Sequence, residues 1–390
     1  FFPTTEALIK AIETGQLNLQ KEILLIKGAR KFRFDQLTEY LEKKVHETIL
    51  EVNLQAMVDN LNHYRSFLKP QTKMVCMVKA SAYGAGSYEI AKTLQEHRVD
   101  YLAVAVADEG SELRKAGITA DIIIMDPELT AFKTMFDYKL EPEVYSFHLL
   151  DALIQAAEKE GVTNFPIHVK LDTGMHRLGF LPEEMPRLIE RLKGQNAVIP
   201  RSVFSHFVGS DSPLFDGFTR RQIECFEKAS AELQQAFSHK ILRHICNTAG
   251  MERFPGAQFD MVRLGIGLYG INPIDNRIIH NVSTLKSTIL QIHEVPADET
   301  VGYSRKGRLE RTSRIAAIPI GYADGLNRRL GNGHAYCLVN GQRAPYVGNI
   351  CMDVCMIDVT DIDCCEGDSV EIFGEHLPVS ELSQLLGTIP

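Results

Sequence analysis

The stretch KMVCMVKASAYGAG (73–86) places an apolar run, a lysine and a glycine-containing turn in immediate succession. Residues 74–78 are continuously apolar, as a strand buried on both faces should be. Lys79 closes the run, and Tyr83, Gly84 and Gly86 follow it. Glycines let the backbone turn tightly into the next element. In SYEIAKTLQEH (87–97), Ile90 and Leu94 lie one turn apart on one face of a predicted helix.

That strand–turn–helix unit recurs. Further β-like runs are YLAVAVA (101–107), DIIIMD (121–126), EPEVYSF (141–147), FPIHVKL (165–171), RSVFSHF (201–207), LRHICN (242–247) and MVRLGIGLY (261–269). The fourth, 141–147, is the least strand-like. Helical segments separate most of them; DEGSELRKAG (108–117) opens with acids and closes with Lys115 and Gly117, a usual start and stop. Eight strands alternating with helices predict an α/β fold, a (β/α)8 barrel. A doubly wound sheet is the competitor, because pattern alone cannot close a barrel.

After about residue 284 the chain breaks into STILQIHEV, RIAAIPIGY, AYCLVN, QRAPYVGN, VCMIDV and DSVEIFG, short strands with Gly, Asn and Asp turns. They predict a C-terminal mainly-β domain. The first 45 residues form a third unit, read as helix, apolar strand and helix. The expected domains are therefore 1–45, 46–284 and 285–390.

The 390 residues are 45% apolar and 24% charged, with a formal net charge of −8. This is a globular composition without the basic footprint of a nucleic-acid or anionic-membrane binder. No apolar run approaches the roughly 20 residues of a membrane span. The eight cysteines lack zinc-type paired spacing, so no metal site is expected. Read as reduced thiols, they point to the cytoplasm. The chain starts on Phe1 and stops at GTIP, and both ends read as cuts.

In a barrel, chemistry belongs at the C-terminal strand ends. Lys79, His168, Lys170, Arg177, His206, His244, Asn247 and Arg263 all fall there. Taken singly, each is an ordinary surface charge or a satisfied histidine; their shared location is the signal. A lysine flanked by apolar strand residues is partly desolvated, which favours the neutral amine. Such an amine attacks an aldehyde to form a Schiff base, and pyridoxal 5′-phosphate (PLP) is the natural aldehyde partner. Tyr83 lies near enough to reach its phosphate.

VKASAYGAG (78–86) resembles the PLP-lysine motif of the alanine racemases, and HVKLDTGMHRLGF (168–180) their K-x-D-T-G-M-x-R-x-G signature. SHFVGSD (205–211), HICNTAG (244–250), DMVRLGIGLYG (260–270), VGYSRKG (301–307), IGYADG (320–325) and NICMDV (349–354) match the rest in order, over about residues 46 to 390. The resemblance implies interconversion of L- and D-alanine, with D-alanine going to peptidoglycan. It implies that Lys79 carries PLP and serves as one base. Tyr303 would be the opposed base, supplied by the partner of a homodimer. Arg263 would face the pyridine nitrogen, with His206 and His244 supporting that region. Tyr83, Asn247, Thr248, Gly265 and Ile266 would hold the cofactor, most of them at its phosphate. Arg177 and the Met352 backbone would receive the substrate carboxylate, and Tyr322 would shape the approach. Lys170 is expected to be carbamylated; the alternative is an unmodified lysine neutralised by a nearby anion.

The chain departs from the family at several points. Thr248 replaces the usual Ser, His176 and Ser304 stand where Gly is common, and the family's tail tyrosine lies beyond Pro390. Residues 6–41 resemble the end of the Mur ligase that adds D-alanyl-D-alanine, which predicts a remnant of a ligase–racemase fusion without a P-loop. The competing functions are a non-catalytic PLP carrier, a PLP barrel decarboxylase and a racemase of broader specificity.

Overall fold

A computed structural model describes residues 2–14, 16, 17, 37 and 47–390. Phe1–Ile49 forms one unit and Leu50–Pro390 another. In the first, a helix spans Thr5–Glu13, with the Thr4 hydroxyl accepting the Ala7 N–H. The strand and second helix expected for the ligase-like segment lie outside the described residues.

Strand β1 is Ile49–Val52. The barrel strands follow: β2 Lys73–Met77, β3 Tyr101–Val104, β4 Asp121–Ile124, β5 Leu140–Val144, β6 Phe165–Lys170, β7 Val198–Phe204, β8 Leu242–His244 and β9 Met261–Leu264. All eight predicted runs are present, mostly shorter than read and with shifted ends. Their order is β8-β7-β6-β5-β4-β3-β2-β9, every pair parallel. The ends meet: the Asp260 N–H donates to Arg243 O at 3.0 Å and the Arg263 N–H to Cys246 O at 3.0 Å. A doubly wound sheet has two free edges, so these bonds decide for the barrel.

Successive strand residues face opposite sides. Met74, Cys76, Leu102, Val104, Leu140 and Val144 point outward and pack under the helices. Val75, Met77, Tyr101, Ala103, Ile123 and Met261 fill an apolar half of the interior. The other half is polar: Glu141 and Glu143 on β5, His168 and Lys170 on β6, Ser202 on β7, His244 on β8 and Arg263 on β9, all buried. This explains why 141–147 was the least strand-like run. Its two glutamates serve the interior, so the apolar signal is missing.

The C-terminal strands are β10 Ser283–Thr288, β11 Gln291–Val295, β12 Thr300–Val301, β13 Gly307–Arg308, β14 Ser313–Ile318, β15 Tyr336–Val339, β16 Gln342–Val347, β17 Cys355–Asp358 and β18 Ser369–Phe373. STILQIHEV, read as one strand, is divided at 289–290 between β10 and β11, which pair with different neighbours. β1 joins this second sheet beside β10. The Asn53 N–H donates to Val282 O at 2.7 Å, and Lys286 pairs with Glu51 at 2.8 Å. Residues 49–52, assigned with the barrel from sequence, thus belong to the β sheet; no local pattern announces so distant a pairing. All eight cysteines are free. No helix of the described residues is long and apolar enough to cross a membrane.

Candidate active site

The strand before Lys79 ends at Met77, and Lys79 itself is exposed at the mouth of the barrel. The expectation of a strand-terminal lysine desolvated by its neighbours is therefore corrected. The physical cause is the backbone beyond it. Ala80, Ser81, Ala82 and Tyr83 have φ of 52°, 52°, 53° and 57°, and Gly84 has 86°: a left-handed turn. Each L-residue pays about 1–2 kcal/mol for that hand. The turn is held by Ala82 N–H to Val78 O, Gly84 N–H to Ala80 O and Gly86 N–H to Ser81 O, each 3.0 Å. Glu109 clamps it from the side, its two carboxylate oxygens accepting the Ser81 N–H at 3.1 Å and the Ala105 N–H at 2.8 Å. Glu109 was missed in the sequence, because only the fold brings it to the turn.

The turn brings Tyr83 to Gly265. A Cβ on Gly265 would stand 3.1 Å from Tyr83 Oη and 3.8 Å from Thr248 Oγ1. The Gly265 N–H donates to Thr248 Oγ1 at 3.0 Å, which leaves the Thr248 hydroxyl proton free for an anion. Tyr83 stacks on Tyr269, whose hydroxyl donates to Met77 O at 2.9 Å. Asn247 accepts from Ser210 Oγ at 2.8 Å and from the Gly250 N–H at 3.0 Å.

Tyr83, Asn247, Thr248 and Gly265 line one cavity of about 770 Å³ with Lys79, Lys170, Arg177, His206, Arg263 and Ile266. Arg263 is buried and tightly held. It donates to His244 Nδ1 at 2.8 Å, to Ser205 O at 2.6 Å and to His206 Nδ1 at 3.2 Å. Burial lowers its guanidinium to about 10, so it stays charged at neutral pH. Burial, then Arg263, pushes both His206 and His244 well below the ordinary imidazole value. His244 lies beneath the cavity rather than on its wall.

Arg177 sits at the end of a loop gathered by Asp172. One Asp172 oxygen accepts the N–H groups of Gly174, Met175 and His176 at 2.9, 2.9 and 3.1 Å. Burial opposes ionisation, but these bonds and His176 hold the carboxyl below its usual range. Gly179 is required there, since a Cβ would meet Asp172 N at 2.5 Å. Lys170 Nζ lies 2.8 Å from Glu143 Oε1. Burial raises the Glu143 carboxyl to about 7 with Lys170 opposing, and its second oxygen has no partner. Glu143 was not singled out in the sequence; a glutamate at an inward strand position was the available signal.

Tyr303, Tyr322 and Met352 do not line this cavity. They are 68%, 41% and 53% exposed on turns and a loop between the C-terminal strands. The Ala323 N–H donates to Met352 O at 3.0 Å, and Asn349 Nδ2 to Tyr303 O at 3.3 Å, which ties the three into one patch. His176 and Ser304 have φ of 53° and 58°, a left-handed conformation that explains why glycine is common at both.

The alanine racemase N-terminal domain model matches residues 52–273, and the C-terminal domain model matches 282–390. The chain belongs to the alanine racemase family. It is 37% identical over 358 residues to alanine racemase 2 of Caldanaerobacter subterraneus subsp. tengcongensis, covering 89% of this chain and 92% of that one. The alanine racemase structure from Clostridium difficile superposes with a TM-score of 0.84 at 34% identity, covering 89% and 92%. A Bartonella henselae alanine racemase with covalently bound pyridoxal phosphate gives 0.79 at 28%, covering 88% and 95%. The ligase resemblance of residues 6–41 gains no support here, since the matched domains begin at residue 52.

The family is an isomerase family whose cofactor is PLP, and the cavity of this racemase-family chain fits that group. One wall offers the Tyr83 and Thr248 hydroxyls around a side-chain-free Gly265, a cradle for a phosphate. Arg263 is an anchored cation that would suit a ring nitrogen. Lys79 supplies a primary amine at the mouth.

Proposed function

We propose that this protein interconverts L-alanine and D-alanine with PLP as cofactor. The observation that carries this reading is the meeting of Lys79, Arg263 and Arg177 on one cavity in a racemase-family chain. Lys79 Nζ, Tyr83, Thr248, Asn247, Gly265, Ile266 and Arg263 would hold PLP, with His206 and His244 behind Arg263. Once bound, PLP supplies an electron sink that makes the amino acid's Cα–H acidic. Arg177 pairs with the substrate carboxylate. Lys79 Nζ takes or returns the proton on one face of Cα. Tyr303 of the partner subunit, through its hydroxyl, does so on the other. Opposed bases are what inversion at one carbon demands.

The shared site is supported by exposure. Tyr303 is the most open tyrosine the reaction calls on, outside its own chain's cavity, and the partner's Met352 and the partner's Tyr322 would arrive with it. Lys170 has two readings: a carbamylated lysine, or an unmodified ammonium paired with Glu143, 2.8 Å away. The mass of the Lys170 peptide, with or without one added CO2, decides between them. The free thiols support a cytoplasmic protein that supplies D-alanine for peptidoglycan. The domain limits 1–45, 46–284 and 285–390 remain part of this proposal, with β1 given to the C-terminal sheet; a ligase remnant at the front rests on sequence alone.

The test is alanine racemisation by the purified, PLP-loaded protein. Lys79→Ala should abolish turnover and Tyr303→Phe should cut kcat by about 10²-fold or more. PLP-loaded protein that racemises no amino acid would sink the reading in favour of a carrier.

A further inference from the structure

Arg263 is the last link of a buried hydrogen-bond chain that crosses five barrel strands. Glu141 Oε2 lies 2.8 Å from His168 Nε2, and His168 Nδ1 lies 2.6 Å from Ser202 Oγ. Ser202 Oγ lies 3.0 Å from His244 Nε2, and His244 Nδ1 lies 2.8 Å from Arg263 Nη1. None of the five residues is more than 6% exposed. They stand on β5, β6, β7, β8 and β9, one on each strand of the polar half of the barrel.

The ends of this chain determine its direction. A guanidinium can only donate, so His244 Nδ1 must accept. Burial beside Arg263 keeps His244 neutral, and its one proton therefore sits on Nε2 and is donated to Ser202. The Ser202 hydroxyl then points its own proton at His168 Nδ1. That leaves the His168 proton on Nε2, donated to the Glu141 carboxylate. A proton on His168 Nδ1 would leave the buried Ser202 hydroxyl with two donors facing it and no acceptor. Every link is satisfied in one direction only, from cation to carboxylate.

We propose that Glu141 is a positioning residue for Arg263: it sets the tautomers of His168 and His244 through Ser202 and so fixes the guanidinium that faces the cofactor ring. This rests on the racemase reading for what Arg263 faces, but the tautomers themselves do not. Glu141 does not line the cavity. Its carboxylate is the counter-charge at the far end of the chain, and breaking a buried, fully satisfied network costs more than one bond.

The test uses the full-length, PLP-loaded chain labelled with 15N-histidine. Both His168 and His244 should be neutral with the proton on Nε2. A proton on Nδ1 of either ring, or a doubly protonated His168, overturns the proposal. Glu141→Leu should lower kcat about tenfold or more while KM for alanine stays within about twofold, and should release the His168 tautomer. Glu141→Gln keeps an acceptor in place and should restore both the tautomer and most of kcat. Ser202→Ala cuts the chain with little change in volume and carries the test if Glu141→Leu does not fold. The double variant Glu141→Leu/Ser202→Ala should be no slower than either single one. Additive losses, or a change confined to KM, would overturn the positioning role. Wild-type protein with the stated tautomers but no racemisation supports the chain and removes the racemase reading instead.

Discussion

Ser304 follows Tyr303 at φ 58°. A left-handed non-glycine residue costs about 1–2 kcal/mol, while glycine costs about 0.5–1 kcal/mol in lost chain entropy. The first term wins. Ser304→Gly should therefore stabilise the protein by about 0.5 kcal/mol, read as a shift of the urea midpoint. His176 has the same backbone, but its ring also lies 3.3 Å from Asp172. His176→Gly gives up that contact and should come out near neutral. A clear loss at Ser304→Gly would mean that the serine has a role the backbone does not explain.

At the scale of elements, loops present the ligand-facing groups and buried side chains shape the loops. The segment from Asp172 to Phe180 folds around one carboxylate oxygen and delivers Arg177 to the cavity. Removing that acceptor strands three N–H groups, at about 2–3 kcal/mol in all after the loop relaxes. Asp172→Ala should therefore raise KM for alanine about tenfold and change kcat less, because in the proposed function Arg177 pairs with the substrate carboxylate and moves no proton. Steady-state kinetics in both directions test this. A fall in kcat with KM unchanged would place Asp172 in the chemistry and not in the loop. The left-handed turn after Lys79 follows the same logic, with Glu109 as its clamp.

At the scale of the molecule, the first prediction tests the proposed sharing of the site between two subunits. Inactive Lys79→Ala and Tyr303→Phe proteins, mixed under conditions of subunit exchange, should regain about a quarter of wild-type activity. Random pairing makes half the dimers mixed, and each mixed dimer has one intact site. No recovery, with mixed dimers shown to form, would place both bases in the same chain. The second prediction concerns acid. His206 and His244 are held neutral in the fold, whereas the unfolded chain protonates them below about pH 6.5. Their contribution is present above that pH and is lost as pH falls. Glu143, raised to about 7, runs the other way: the fold favours its protonated form, so its contribution is present at low pH and is lost as pH rises toward 7. From pH 7.5 to 5.5 the histidines cost about 3 kcal/mol and Glu143 returns about 2 kcal/mol. A net loss of about 1 kcal/mol is expected in urea unfolding, rising to about 3 kcal/mol in Glu143→Gln. A variant no more acid-sensitive than wild type would show that Glu143 titrates normally.

The barrel was legible in the sequence because strands buried on both faces must be apolar throughout, so runs such as 74–78 and 121–124 announce themselves. The family was legible because Lys79, Arg177, Arg263 and Tyr303 lie within ordered motifs. The fourth barrel strand was the hardest to read, since Glu141 and Glu143 replace its apolar signal. Only the tertiary structure could decide what those glutamates do. Lys170 is 27 residues from Glu143 and Arg263 is 19 from His244 in sequence, yet they touch. Closure of the sheet also turned one end of the barrel interior into a cavity, and a distant pairing beside β10 took β1 into the second sheet. Local sequence determines which face of an element is apolar, because that is a matter of period and side-chain chemistry. It does not determine which polar groups meet, because that depends on strand order, register and closure, which are properties of the whole chain.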